Sequence, residues 1–289
     1  MRGLCFPMLI MLPALAMAGE KLPAWQFTNA QCLSCHASRD AKLVAAWRVS
    51  NHARTVPKAN CVACHGVDHR GASARARRDS ACTVCHEKPG REVVHSYATS
   101  KHGVIMRLEE AGYDWSQPLA RGNYRAPGCA YCHLHGAEHD TGNPMSSRDP
   151  FQTSGEATRE ATLNRRQAIC GDCHAPRYLT EQTDTGLRMI EIASMKLREA
   201  REVITHYQDT LSAEDRNTLD TLFIGMQAHG RNVRLGVGHQ SPDYQWWHGQ
   251  PALDGDLLRI KGVVAEQERR TLTDRARTTV GGNSNAEQP

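Results

Sequence analysis

The chain has 289 residues and a formal net charge of +4, with 40% hydrophobic but only 6% aromatic residues. Lys and Arg are interspersed with Asp and Glu, and the one dense basic run, at 70–78, lies between two cysteine motifs, which argues against nucleic-acid binding. Burial of so few large apolar side chains is not expected to offset the conformational entropy lost on folding. Something other than the side chains is therefore expected to supply part of the core.

The N-terminus has the pattern of a signal peptide. Arg2 gives a positive start, residues 4–17 form a nearly unbroken apolar run, and Ala16-Met17-Ala18 is a typical cleavage site. The apolar run is too short to span a bilayer, and no later stretch approaches membrane length. We therefore predict a signal peptide over 1–18, export to the periplasm and no membrane span after cleavage.

Residues 19–180 contain five copies of the pattern C-x-x-C-H, broken by frequent Gly, Pro and Asn that predict short helices joined by loops. The five cysteine pairs are Cys32/Cys35, Cys61/Cys64, Cys82/Cys85, Cys129/Cys132 and Cys170/Cys173. They use every cysteine after the signal peptide. In this pattern two thiols bind one haem covalently and the adjacent His becomes the proximal iron ligand. Five covalently attached haem c groups are predicted, each fixed inside the domain, with burial against the porphyrins replacing the missing apolar side chains.

Two other uses of paired cysteines fit less well. A disulfide framework suits an exported protein but has no need of a His after every pair. Zinc sites also use C-x-x-C pairs, yet they need two pairs or further His for each metal. The proximal iron ligands predicted from the haem pattern are His36, His65, His86, His133 and His174.

Ten further histidines could supply the sixth ligand of each iron. Bis-His iron suits electron transfer, because nothing need enter or leave when the iron changes valence, whereas an enzyme keeps an open position. From local context we predict as distal ligands His52, His69, His102, His139 and His239. His69 and His139 follow their own motifs too closely and are expected to reach a neighbouring haem. His95 is the alternative to His102, and the pairing of distal His with haems stays open.

Residues 181–270 predict a C-terminal helical region. Leu187, Ile190 and Leu197 lie on one helical stripe, and Ser212 is expected to cap a second helix. A third helix is predicted over 254–270, and the polar residues 271–289 are expected to be disordered. The predicted fold class is thus mainly α with many loops and very little β, a multihaem cytochrome c core followed by a bundle of long helices.

Four stretches together carry a family resemblance: Trp47-x-x-Ser50-x-His52, Ser100-Lys101-His102-Gly103, Ala126-Pro127-Gly128-Cys129 with His139, and Ser241-Pro242-Asp243-Tyr244-x-Trp246-Trp247-His248. From about 31 to 260 the chain resembles the hydroxylamine oxidoreductase family, including the tetrahaem cytochromes of nitrifying bacteria. The resemblance implies closely packed haems, a mostly helical fold and long C-terminal helices. The family's enzymes have eight haems and a Tyr that crosslinks to the catalytic haem. Tyr244 is the candidate for that role, although aromatic packing is the simpler interpretation of it.

Two functions follow from these features. The first is electron transfer along the haems to other redox proteins, either periplasmic cytochromes or a membrane quinol-linked oxidoreductase. The second is an enzyme that oxidises hydroxylamine or reduces nitrite at one open haem, with proton-transfer groups from His95, His135 or His248. No defective haem motif marks a special iron, which favours the carrier. The C-terminal helices could also form a homo-oligomer.

Overall fold

The protein is described by a computed structural model that covers residues 25–88, 92–118, 124–140 and 156–283. The predicted signal peptide lies outside these residues. Within them the chain is helical and has no strand, apart from an isolated bridge between Gln26 and Asp68. The predicted mainly α class is confirmed. No helix in the described ranges is long and apolar enough to cross a membrane.

Nine short helices build the described part of the chain up to residue 140. They are α1 (Asn29–Arg39), α2 (Ala41–Val49), α3 (Asn51–Arg54), α4 (Cys61–His65), α5 (Ala72–Arg77), α6 (Ser80–His86), α7 (Glu92–Ala98), α8 (Lys101–Glu109) and α9 (Cys129–His133). Several begin at a side chain that accepts a hydrogen bond from the first turn, as Thr28, Asp40 and Asn60 do. Gly66 ends α4 with a φ of 72°, a conformation that favours glycine.

Five further helices lie within the described residues 156–283. They are α10 (Glu156–Gly171), α11 (Pro176–Tyr207), α12 (Ala213–His239), α13 (Pro242–Gln245) and α14 (Gln250–Asn283). Helices α11, α12 and α14 pack against one another as a three-helix bundle. Their core includes Leu219, Met226, Leu253 and Ile260, all fully buried. Apolar residues at spacings of three and four create this face, as the sequence predicts for the first two helices.

The start of α12 agrees with the sequence prediction, whereas α14 is longer than predicted. Ser212 caps α12 as predicted, because its hydroxyl accepts from the amide of Asp215 at 3.0 Å. The last helix begins at Gln250 rather than at 254 and continues to Asn283. Residues 271–283, expected to be disordered, are thus helical here: the well-packed first turns nucleate a helix that can extend into solvent. Residues 284–289 lie outside the described residues.

The haem-motif region has little apolar core of its own. Its one described core cluster consists of Met106, Trp115 and Tyr124, with Tyr97 and Tyr113 packed against it. The bundle, in contrast, has a continuous core along its length. The expected boundary at 180/181 falls inside α11, which begins directly after the fifth motif. Helix α12 also packs against α7, so the bundle braces the motif region.

Candidate functional site

Each cysteine motif lies on or at the end of a short helix. Helices α4 and α9 begin at the first cysteine of their motifs and end at the histidine. The first and third motifs lie within α1 and at the end of α6, and the fifth runs from the end of α10 into the following turn. In a helix, residues at i, i+3 and i+4 share one face. The two thiols and the imidazole of a helical motif therefore point to the same side.

Four of the five motif histidines face a second imidazole, at centroid separations of 5.9–6.5 Å. The pairs are His36 with His69 (6.5 Å), His52 with His86 (6.1 Å), His65 with His139 (6.1 Å) and His102 with His174 (5.9 Å). An iron atom between two imidazoles needs centroids about 6 Å apart, since each metal–nitrogen bond is about 2 Å and each nitrogen lies about 1 Å from its ring centre. The four separations have the size required.

The remaining motif histidine, His133 of the fourth motif, lies near His239 at the end of α12. Burial, with smaller contributions from the charges of His133 and Arg166, lowers the pKa of His239 to about 4. Its Nδ1 lies 2.7 Å from the hydroxyl of Ser96, which donates to the carbonyl of Val93 at 2.8 Å. Because that hydroxyl proton is committed, Ser96 accepts from His239 Nδ1–H. The Nε2 lone pair of His239 is thereby left for a metal.

Two other paired imidazoles are oriented in the same way. His65 donates through Nδ1 to the carbonyl of Ala72 at 3.2 Å, and His139 donates to that of Ala137 at 2.9 Å. Burial is also the main cause of lowered pKa values for His52, His65 and His102. An imidazole that stays neutral and hydrogen-bonded at Nδ1 has Nε2 free to bind iron. The described residues therefore fit a bis-imidazole haem.

Local sequence explains how two of these histidines are held. His52 and His102 are each the second residue of a helix that begins after a fully buried serine, Ser50 or Ser100. Ser100 accepts from the amide of Gly103 at 3.1 Å. A Cβ at Gly103 would clash with the carbonyl oxygen of Tyr97, so only glycine fits there. The Ser-x-His pattern thus presents the imidazole from the first turn of a helix.

Cysteines of consecutive motifs lie close together. The neighbouring pairs are Cys32 with Cys61, Cys64 with both Cys82 and Cys85, Cys82 with Cys129, and Cys132 with Cys170. The motifs therefore form a row whose order in space follows their order in the sequence.

Three of the motif cysteines are exposed to solvent: Cys35, Cys85 and Cys173. An attached haem would itself cover these thiols, so the expectation that every haem is fixed inside the domain stays a prediction. Each of the three is the second cysteine of its motif, and the protein offers few apolar side chains to cover it. Beside Cys85, for example, the side chain of Val84 is itself 69% exposed. The first, third and fifth motifs thus place one attachment point each at the surface.

The remaining histidines lie elsewhere. His95 faces no motif histidine among the described residues; its Nδ1 lies 3.0 Å from the hydroxyl of Tyr244, and its ring lies 6.4 Å from that of His248. Tyr244 is only 4% exposed. The interpretation of this tyrosine as simple aromatic packing is therefore incomplete, because its hydroxyl joins a His–Tyr–His cluster. His135 instead lies 3.6 Å from Asp172, between the fourth and fifth motifs.

Some residues at the site carry no sequence signal. Ser96 orients His239 from 143 positions away, and only the packing of α7 on α12 brings them together. Asp79 accepts from the amide of Cys129 at 2.7 Å and so positions the fourth motif against the third. Arg166 donates to the carbonyl of Val237 at 3.0 Å and lies beside Cys170. Single polar residues of this kind have no spacing pattern to reveal them.

Comparisons with known proteins bear on the sequence motifs and on the fold. A 71-residue stretch, 23% of the chain, is 39% identical to a protein of Kuenenia stuttgartiensis described as a probable nitrite reductase–hydroxylamine oxidoreductase fusion protein. The aligned part is only 8% of that relative's length. The fold is similar to the K. stuttgartiensis reducing HAO-like protein complex, with a TM-score of 0.55, 17% identity and coverage of 86% of this chain and 87% of that one.

A second solved structure, described as a hypothetical multiheme protein, has a TM-score of 0.59 and 14% identity over 74% of this chain and 59% of its own. The family described as seven times multi-haem cytochrome CxxCH matches residues 29–218. This chain has five such motifs in place of seven. The predicted resemblance is confirmed: the chain belongs to the multihaem cytochrome family, whose CxxCH motifs bind haem c covalently.

Proposed function

We propose that the protein is a pentahaem cytochrome that transfers electrons along a row of five bis-imidazole haems. The observation that carries this proposal is the second imidazole beside each of the five motif histidines. The distal ligands would be His69, His139, His52, His239 and His102 for motifs one to five in order. Each of the five irons would then be six-coordinate, with no position open to a substrate.

Saturated coordination suits a carrier. Bound haem iron supplies reversible one-electron chemistry, with potentials set by axial ligands, burial and nearby charge. The polypeptide fixes both imidazoles, through Ser96 at His239 and the backbone carbonyls at His65 and His139. Held in this way, the ligands stay in place when the iron changes valence, so little reorganisation accompanies each electron.

The row of motifs supports a conduit rather than five separate centres. Cysteines of successive motifs are neighbours from Cys32 to Cys170. The first and last motifs lie at the two ends of this row, so partners would dock at the terminal haems. An electron could enter at one end of the row and leave at the other.

The setting of this activity follows from the same features. Residues 1–18 would direct export to the periplasm, where redox proteins, either cytochromes or a quinol-linked oxidoreductase, would dock at the terminal haems. Similarity to a reducing HAO-like protein complex supports function within a redox assembly. The helices α11, α12 and α14 would brace the haem domain and offer a surface for a homo-oligomer.

Intact mass spectrometry of the secreted protein tests the haem count. Five haems add about 3 kDa to the processed polypeptide by the rule of one haem per motif. Conversion of single motifs, for example Cys170→Ser with Cys173→Ser, should remove one haem increment each. A wild-type mass with fewer than five increments would contradict the pentahaem assignment.

An alternative is an enzyme of nitrogen-compound redox chemistry, hydroxylamine oxidation or nitrite reduction, with one open haem. Two observations favour it: the 39% identical stretch shared with the fusion protein of K. stuttgartiensis, and the cluster in which His95 is hydrogen-bonded to Tyr244 and both rings contact that of His248. Visible spectra in carbon monoxide and cyanide separate the two functions. The carrier stays low-spin and unchanged, whereas the enzyme shows a high-spin component that binds either ligand.

A further inference from the structure

Three buried hydrogen-bond donors of the motif region have no acceptor within the described protein. They are Arg75 Nη2, Tyr113 OH and Trp115 Nε1. A buried donor without a partner is costly, and most such groups in folded proteins are paired. All three lie in the half of the molecule that carries the cysteine motifs. Their missing partner is therefore expected to be a group that this half binds.

The Arg75 guanidinium is fixed beside the second motif. Its Nε donates to the carbonyl of His65 at 2.8 Å, and its Nη1 donates to that of Arg70 at 3.0 Å. Gly66 permits this close approach, since a Cβ there would lie 2.8 Å from Arg75 Nε. With two edges of the planar guanidinium committed, the direction of Nη2 is set. The Arg75 guanidinium, a positive charge next to the carbonyl of His65, thus has one nitrogen, Nη2, without an acceptor.

The other two donors lie in one aromatic cluster. The rings of Tyr113, Trp115 and Tyr124 have centroids 5.2–5.7 Å apart, and Trp115 is only 4% exposed. The cluster also contains Met106, whose methyl would lie 3.0 Å from a Cβ at Gly128, the residue before the fourth motif. The Arg78 guanidinium lies 5.3 Å from the centre of the Trp115 ring. The cluster therefore lies close to the fourth motif and is flanked by positive charge.

The chemistry of the three atoms identifies the partner. An indole N–H and a guanidinium N–H only donate, so they suit an anionic acceptor and cannot ligate a metal. Haem brings two carboxylates with each porphyrin. We propose that Arg75 Nη2 binds a carboxylate of the haem at the second motif, and that Tyr113 OH and Trp115 Nε1 bind a carboxylate of the haem at the fourth. This inference rests on the proposed function and adds the residues that anchor the haem carboxylates.

Removing such a donor should change the reduction potential of the haem in a predictable direction. A carboxylate that loses a hydrogen bond keeps more negative charge near the iron, which favours the ferric state and lowers the reduction potential. A hydrogen bond to a charged group changes an equilibrium by roughly tenfold or more. A hydroxyl with no partner in the holoprotein would have no such effect on the haem potential. Its removal would be neutral or stabilising for the fold.

The test compares two tyrosines of the same cluster. Tyr113→Phe removes the unpaired hydroxyl, whereas Tyr124→Phe removes one that already donates to the carbonyl of Gln117 at 3.5 Å. Both holoproteins are titrated potentiometrically, and redox-difference infrared spectra are recorded with haem labelled with ¹³C at its carboxylates. We expect Tyr113→Phe to lower the potential of one haem and to shift a carboxylate band, and Tyr124→Phe to do neither. Arg75→Gln should lower the potential of a different haem.

Two results would overturn the inference: unchanged potentials and carboxylate bands in Tyr113→Phe and Arg75→Gln, or equal shifts in Tyr124→Phe. Haem count and spin state, measured on the same samples, separate this failure from that of the proposed function. Variants with five low-spin haems and no shift would reject the carboxylate anchors alone. A wild-type protein without five low-spin haems would reject the proposed function itself. Tyr113→Phe deletes a single oxygen atom, so loss of folding is not expected to obscure the result.

Discussion

Replacement of His102 tests whether a distal imidazole was identified correctly. His102 lies on α8 with its ring 5.9 Å from that of His174, so His102→Ala should leave the fifth haem with one protein ligand. By the rule of one haem per motif, about one fifth of the iron should become high-spin and bind carbon monoxide. His102→Met should restore six-coordination with a raised potential for that haem.

The matched control is His95→Ala. His95 lies on α7 and was the alternative to His102, yet its Nδ1 is directed to Tyr244. We expect this variant to keep the low-spin spectrum of the wild type. Visible and electron paramagnetic resonance spectra of the two variants measure the difference. A low-spin His102→Ala protein, or a high-spin His95→Ala protein, would refute the pairing.

Three further predictions concern the bundle and the His–Tyr–His cluster. Gly236→Ala should destabilise the holoprotein by about 1–3 kcal/mol in denaturant titrations, because its Cβ would lie 2.5 Å from a backbone nitrogen of α13. The control Gly225→Ala, whose Cβ would have nothing within 4 Å, should be neutral or stabilising. Equal effects of the two variants would contradict this packing. Asp256→Asn weakens the 2.7 Å bond to His229 and should cost about 1–3 kcal/mol in the same assay, and no loss would show the bond to be dispensable. Tyr244→Phe should leave haem spectra and electron-transfer rates unchanged if the protein is a carrier, and a loss of hydroxylamine or nitrite turnover in this variant would favour the enzyme.

The sequence predicts the chemistry of this protein better than its connections. The motifs identify ten cysteines and five histidines because covalent attachment requires a fixed spacing. The Ser-x-His pattern around His52 and His102 is equally local, since it sets the first turn of a helix. In such cases the chain itself holds the residues in place, so reading the sequence is enough.

The solvent exposure of each motif cannot be predicted in the same way, because the spacing of the cysteines does not determine how deeply they are buried. Cys64 and Cys85 are both second cysteines of a motif, yet Cys64 is partly buried and Cys85 is exposed. The difference arises from which helices pack around each motif, and the pattern C-x-x-C-H is the same in both. The sequence therefore predicts where a haem is attached but not how much of the attachment point the polypeptide covers.

The partners of these residues depend on packing between distant helices. His239 lies 143 positions from Ser96, and Tyr244 lies 149 from His95. Neither contact repeats at a helical period, so neither leaves a pattern in the sequence. Both arise because α7 packs against α12, at the end from which α13 continues. The simpler interpretation of Tyr244 missed its hydrogen bond for this reason.

The extent of the last helix was underestimated for a different reason. Residues 271–283 have no apolar stripe, and a polar segment alone is expected to be disordered. Once Leu253, Ile260 and Val264 are buried in the bundle, however, the helix is nucleated and each added residue gains a backbone hydrogen bond. The local composition of 271–283 does not reveal that the preceding turns nucleate the helix.

Spin quantitation of the oxidised protein by electron paramagnetic resonance tests the five-haem, bis-imidazole account most directly. Five imidazole pairs predict five low-spin ferric ions per polypeptide and no signal from high-spin haem. A stoichiometric high-spin signal would show that one iron lacks its second imidazole. That result would contradict the account.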